Sequence, residues 1–288
     1  MMTRLVLVHG RGQGESSSEL LREQWLDALN RGLAAAERQS MDPSIDIRVP
    51  FYGKLLDQLV ASLPAPGKVA AMGAAGRVDR FEGELILELA ARAGITDDEI
   101  AAEVQDEAVP RSPENWAWVH AAGRVLSRRV PGLGEALLSR LVPDVRAYLT
   151  LAHITGAVNE CVSAELDATP AVVVGHSLGS IVAYLVLTQR GDAVTVPLLA
   201  TVGSPLGIDV VKKKLPPPLG RPPGVTRWLN AADKRDPVAL FPRLGKDVFP
   251  ADIENLDDLR NPDDNPHGID GYLSDPRVAL RIAEALDP

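Results

Sequence analysis

The stretch that most restricts the fold is AVVVGHSLGSIVAYLVLTQR, from Ala171 to Arg190. Its first four residues are apolar without alternation, as expected of a strand covered on both faces, and such strands belong to parallel sheets enclosed by helices. A glycine-flanked serine then passes without a linker into a second apolar run. Strand, tight turn and helix in so few residues predict a single unit with Ser177 at its corner.

Similar apolar or β-branched runs occur at Arg4–Val8, Ile45–Val49, Val196–Val202 and Val225–Asn230. Ser16 and Glu19 have the spacing of a capping box. Leu21, Trp25, Leu29 and Leu33 follow at one-turn intervals and predict an amphipathic helix between the first two strands. Repetition of strand, helix and strand predicts an α/β chain: a mostly parallel sheet of about five or six strands with helices on both faces.

The interval from Lys54 to Pro170 is far longer than one connecting helix requires, and it holds no convincing strand. FEGELILELAARAG and PDVRAYLTLAHITGAVNECVSAEL read as helices, while Pro110, Pro113, Pro131 and Pro143 are expected to break the remainder. The interval is therefore expected to be a helical cap over the C-terminal edge of the sheet. That assigns residues 1–53 and 166–288 to the core and 54–165 to the cap. Charge within it is uneven: Asp79 to Glu107 holds ten acids and two arginines, whereas Arg111 to Thr150 holds six arginines and three acids. The simpler expectation is that acidic and basic helices lie side by side and neutralise each other. The alternative is that WAWVHAAGRVLSRRV offers a basic amphipathic face for transient membrane contact or for an anionic substrate. Trp116 and Trp118 are expected to be buried in the cap rather than to line a pocket.

Gly175-His176-Ser177-Leu178-Gly179 has the G-x-S-x-G pattern, in the strand-turn-helix setting where a serine is held exposed above a helix N-terminus. An ordinary turn with Ser177 as N-cap is the competing reading, and it makes no demand on the rest of the chain. A serine nucleophile does make one: a histidine base oriented by a carboxylate, in the chain order serine, acid, histidine. Of the five histidines only His267 follows Ser177, in the loop NPDDNPHGID. Eleven acids lie between them. Asp236 is favoured, a few residues past a strand with Pro237 stiffening the turn, and Asp233 is the second choice. An oxyanion hole needs two backbone N–H groups. Leu178 is expected to supply one, and Arg11, in the glycine-rich HGRGQG after the first strand, the other.

With these residues in hand, the chain resembles the α/β-hydrolases, in particular their lipase- and esterase-like members. HGRGQG resembles the oxyanion loop, GHSLGS the nucleophile elbow, RDPV the acid turn and NPHGID the histidine loop; TVGSPLG resembles the stretch after the following strand. The likeness covers the expected sheet-forming parts and not the insertion. The chain begins at what would be the family's third strand, and the cap enters before the elbow, earlier than many family lids. The resemblance implies a serine hydrolase that cleaves a carboxylic ester through Ser177, His267 and Asp236, by way of an acyl-enzyme. A thioesterase, an acyltransferase or a phospholipase would use the same residues, and a hydrolase-like fold reduced to ligand binding is the alternative from another class.

Other classes fit less well. A net charge of −9 argues against a nucleic-acid partner. Cys161 is the only cysteine, no zinc spacing occurs, and DDNPHG lacks the twelfth-position glutamate of a calcium loop, so neither metal nor cofactor is expected. No apolar run approaches a membrane span, the N-terminal run is too short for a signal peptide, and a cytoplasmic location is expected. The expected partner is a small-molecule or lipid acyl ester.

Overall fold

The computed structural model of the chain describes residues 3–10, 16–63, 79–104, 109–130, 135–246, 249 and 251–287. It is an α/β structure around one six-stranded sheet. The strands are β1 (Arg4–Val8), β2 (Ile47–Arg48), β3 (Ala171–His176), β4 (Val196–Val202), β5 (Val225–Asp233) and β6 (Glu254–Leu259). Their order is β2-β1-β3-β4-β5-β6 and every pairing is parallel.

Alternation along the strands splits the core in two. Leu5, Leu7, Val172, Val174, Leu198 and Ala200 face one side, where they pack with α1 (Ser18–Ala35) and with α10 (Ile269–Ser274) and α11 (Pro276–Leu286). Val6, Val8, Ala171, Val173, Val196 and Leu199 face the other, against α8 (Leu178–Arg190). Each valine or leucine so buried is worth about 1.5–3 kcal/mol, which explains why the central strands are apolar throughout. The chain runs from β1 through α1 to one side and from β3 through α8 to the other. The reversal lies between β1 and β3, and the crevice beyond the carboxyl ends of strands at such a reversal is where open α/β sheets bind ligands.

The long interval between β2 and β3 is helical among the described residues. It holds α2 (Gly53–Ala61), α3 (Arg80–Arg92), α4 (Asp97–Glu103), α5 (Trp116–Arg129), α6 (Glu135–Thr150) and α7 (Ala152–Ser163). These helices join the same core as the Val6 and Val173 face of the sheet. The last of them, α7, packs beside α8 and buries Ile154, Val158 and Val162 in that core. From α3, the Glu88 carboxylate reaches the short α9 (Asp209–Lys212) after β4 and accepts from Asp209 N–H at 2.7 Å and Val210 N–H at 3.0 Å.

Several local expectations change. Ser17, not Ser16, caps α1, accepting from Leu20 N–H. Pro143 lies within α6, where burial of Leu141, Val142, Val145 and Tyr148 outweighs the backbone bond a proline removes. Trp118 is buried as expected, but Trp116 is 49% exposed and stacks on His120. Two residues apart on a helix, the two indoles point to nearly opposite sides. The basic residues of α5 pair with the acidic α4: Arg124 and Arg128 with Glu103, and Arg129 with Glu99. Among the described residues, no helix is long and apolar enough to cross a membrane.

Candidate functional site

β3 ends in a corner at Ser177, which has φ +56° and ψ −129°. Left-handed φ is costly for a residue with a side chain, and the neighbours must hold it. Gly179 allows this by close approach, since a Cβ there would lie 2.2 Å from Val8 O and 2.4 Å from His9 O. Ser177 N–H donates to Val202 O at 3.2 Å, which ties the corner to the end of β4. Its carbonyl accepts from Ser180 N–H at 2.9 Å and from Ser180 Oγ–H at 2.6 Å. Because Ser180 spends its proton there, the 2.7 Å contact between Ser180 and Ser204 has Ser204 as donor, and Ser204 Oγ in turn accepts from Leu206 N–H at 3.2 Å. A directed chain of hydrogen bonds thus runs from the loop after β4 into the corner.

The ends of the other strands converge on this serine. Gly10, just past β1, comes so near that a Cβ on it would be 2.8 Å from Ser177 Cβ. Gly203, just past β4, has φ +55°, and a Cβ there would lie 2.9 Å from Asp236 Oδ2 and 3.3 Å from His267 Cε1. His267 Nδ1 is 2.9 Å from Asp236 Oδ1 and 2.8 Å from Oδ2. A carboxylate only accepts, so Nδ1 carries a proton, and it is the Nε2 lone pair that the neutral ring then offers. Asp236 is 1% exposed and also receives Tyr272 O–H at 2.6 Å and Val238 N–H at 2.8 Å. Burial alone would push its carboxyl up, yet His267, Tyr272 and Val238 together hold it below the ordinary carboxylate range.

Asp233, the second choice for the acid, is occupied elsewhere. It binds the Arg235 guanidinium at 2.6 Å and Asn261 N–H at 2.7 Å, and these contacts keep its carboxyl low against the opposing effect of burial. Asp236 is therefore the carboxylate that meets the imidazole. Ser177 is 2% exposed, among the described residues its hydroxyl makes no hydrogen bond, and the ring of the adjacent His176 lies 4.7 Å from the His267 imidazole. Leu178 opens α8, where helix geometry leaves its N–H without a partner inside the helix. Arg11 lies outside the described residues.

Four side chains around the site were not foreseen. Tyr272 bridges Asp236 and Asp233 N–H, the latter at 3.2 Å. His9 is buried and fixed in one tautomer: Nδ1–H donates to Gly10 O at 2.7 Å while Nε2 accepts from Tyr52 N–H at 3.2 Å. Burial, opposed by the Gly10 carbonyl, lowers its pKa to about 4. Asn261 Nδ2 donates to Pro266 O at 2.8 Å and Gly268 O at 3.5 Å, and His176 Nε2 lies 2.8 Å from His267 O. The only sequence signal was the position of His9 and His176 next to glycine-rich turns; Tyr272, His176 and the Nε2 of His9 meet partners remote in the chain, and Asn261 meets carbonyls five and seven residues on. Compared with family models, with curated proteins and with solved structures, the chain matches none.

Proposed function

We propose that the protein is a serine hydrolase of the α/β-hydrolase type, cleaving a carboxylic ester through Ser177, His267 and Asp236. The observation that carries the reading is the Asp236–His267 pair, with the proton on Nδ1, beside a serine of left-handed φ at the strand reversal. Ser177 Oγ attacks the ester carbonyl while its proton passes to His267 Nε2. The resulting imidazolium is supported by Asp236, and the oxyanion by the N–H groups of Leu178 and Arg11, each worth on the order of 3 kcal/mol of barrier. The intermediate collapses, the alcohol leaves with the proton from His267, and water activated by the same imidazole releases the acid. The helical interval would form the cap, and its lining would choose among ester, thioester and phospholipid. The single cysteine supports a cytoplasmic location.

One observation favours a second reading, a hydrolase-like fold that only binds a ligand: Ser177 is almost covered, and among the described residues its hydroxyl makes no hydrogen bond. A fluorophosphonate probe separates the two. Covalent labelling of the native protein and none of Ser177→Ala, together with turnover of p-nitrophenyl esters, is expected of the hydrolase. A native protein that neither labels nor turns over is a binding module.

A further inference from the structure

The loop that carries His267 lies between β6 and α10, where no strand partner holds it, yet three consecutive carbonyls in it are held by side chains. Asn261 Nδ2 takes those of Pro266 and Gly268, and His176 takes that of His267 itself, at 2.8 Å. A carbonyl only accepts, so His176 must carry its proton on Nε2. Its ring also packs at 4.7 Å from the His267 ring, and edge-on to Trp25 at 6.3 Å. Burial, reinforced by the neighbouring His267, holds its pKa down to about 3, so the ring stays neutral beside an imidazole that must itself become charged. His176 is covalently attached to Ser177. One side chain thus joins the backbone of the serine corner to the backbone of the imidazole loop.

We infer that His176 is a positioning residue, whose Nε2–H to the His267 carbonyl sets the spacing between Ser177 and His267. The inference rests on the reading of those two residues as nucleophile and base. A merely space-filling His176 would be replaced equally well by any side chain of similar size, whereas a positioning donor would not. Methionine and glutamine separate the cases, being of similar length with and without an N–H.

The rate of fluorophosphonate labelling, and kcat and KM for p-nitrophenyl butyrate, are measured for the native protein, H176M and H176Q. Displacement of reacting groups by about 1 Å can cost on the order of 100-fold. H176M is therefore expected to lose about 10–100-fold in labelling and in kcat with KM within about threefold, and H176Q to stay within about threefold of native. H176M at the native rate, or H176Q as slow as H176M, overturns the inference. If H176M does not fold, H176F, which keeps a ring, takes its place. A native protein that does not label at all refutes the hydrolase reading instead, and amide exchange then decides the coupling. Faster exchange of the 260–271 segment in H176M, restored in H176Q, upholds the tie; unchanged exchange in H176M overturns it.

Discussion

Asp236→Asn is the sharpest perturbation of this site, because it keeps the volume and changes where one proton sits. The Oδ1 corner accepts Val238 N–H at 2.8 Å and Ala239 N–H at 3.3 Å, so an amide nitrogen there would set N–H against N–H. The carbonyl of the new side chain takes that corner, with both lone pairs occupied, and the –NH2 group takes the Oδ2 corner, where the Tyr272 hydroxyl turns to accept. His267 Nδ1, 2.8 Å from that corner, then faces a donor and must accept. The ring proton moves to Nε2 and no lone pair remains for Ser177. Loss of the correct tautomer in a serine–histidine–aspartate site costs about 10⁴-fold in kcat, or about 5 kcal/mol of barrier. The assay is kcat for p-nitrophenyl butyrate at pH 7.5, with thermal melting to confirm the fold. A folded D236N that keeps more than about a tenth of native kcat refutes the reasoning. So does a folded D233N as impaired as D236N.

Tyr272→Phe removes a hydrogen bond to a buried carboxylate, and its urea midpoint should fall by an amount equivalent to about 1.5–3 kcal/mol; an unchanged midpoint would count against the bridge. His9 has a folded pKa of about 4, below the ordinary value near 6.5, so the unfolded chain binds the extra proton first. Stability from this residue is complete above about pH 6.5 and is lost as pH falls toward 4, about 2 kcal/mol of it by pH 5. A urea midpoint that is flat from pH 7 to 5 would contradict this. Because Arg124, Arg128 and Arg129 pair with glutamates of α4, the native protein should not sediment with anionic lipid vesicles; sedimentation abolished by neutralising these arginines would establish the membrane-facing alternative.

The parts of this fold that could be read from the sequence are those where one local property decides the outcome. β1, β3 and β4 are apolar because both faces are covered, and the corner at Ser177 is marked by glycines that alone permit the approach of β3, α8 and β1. β6, with the sequence ENLDDL, escaped because it is an edge strand whose acids meet arginines of α11: Asp258 with Arg277 and Glu254 with Arg281. Polar edges of this kind are how sheets avoid pairing with other chains, and they erase the alternation a strand otherwise displays. At the site, chain order singled out His267 and the turn after β5 singled out Asp236. His176, Asn261 and Tyr272 could not be found in that way. Their meaning lies in which backbone groups they face, and folding alone brings those groups to them.

Glu88 carries a consequence for how the molecule comes apart. Its carboxylate spans from α3 to the two N–H groups that open α9, and α9 follows within a few residues the loop whose Ser204 feeds the hydrogen-bond chain to Ser177. The helices between β2 and β3 also complete one apolar interior with the sheet. Neither portion can loosen without stripping the other of cover and of partners, so the chain should lose its structure in one cooperative event, with no surviving fragment that retains the corner at Ser177.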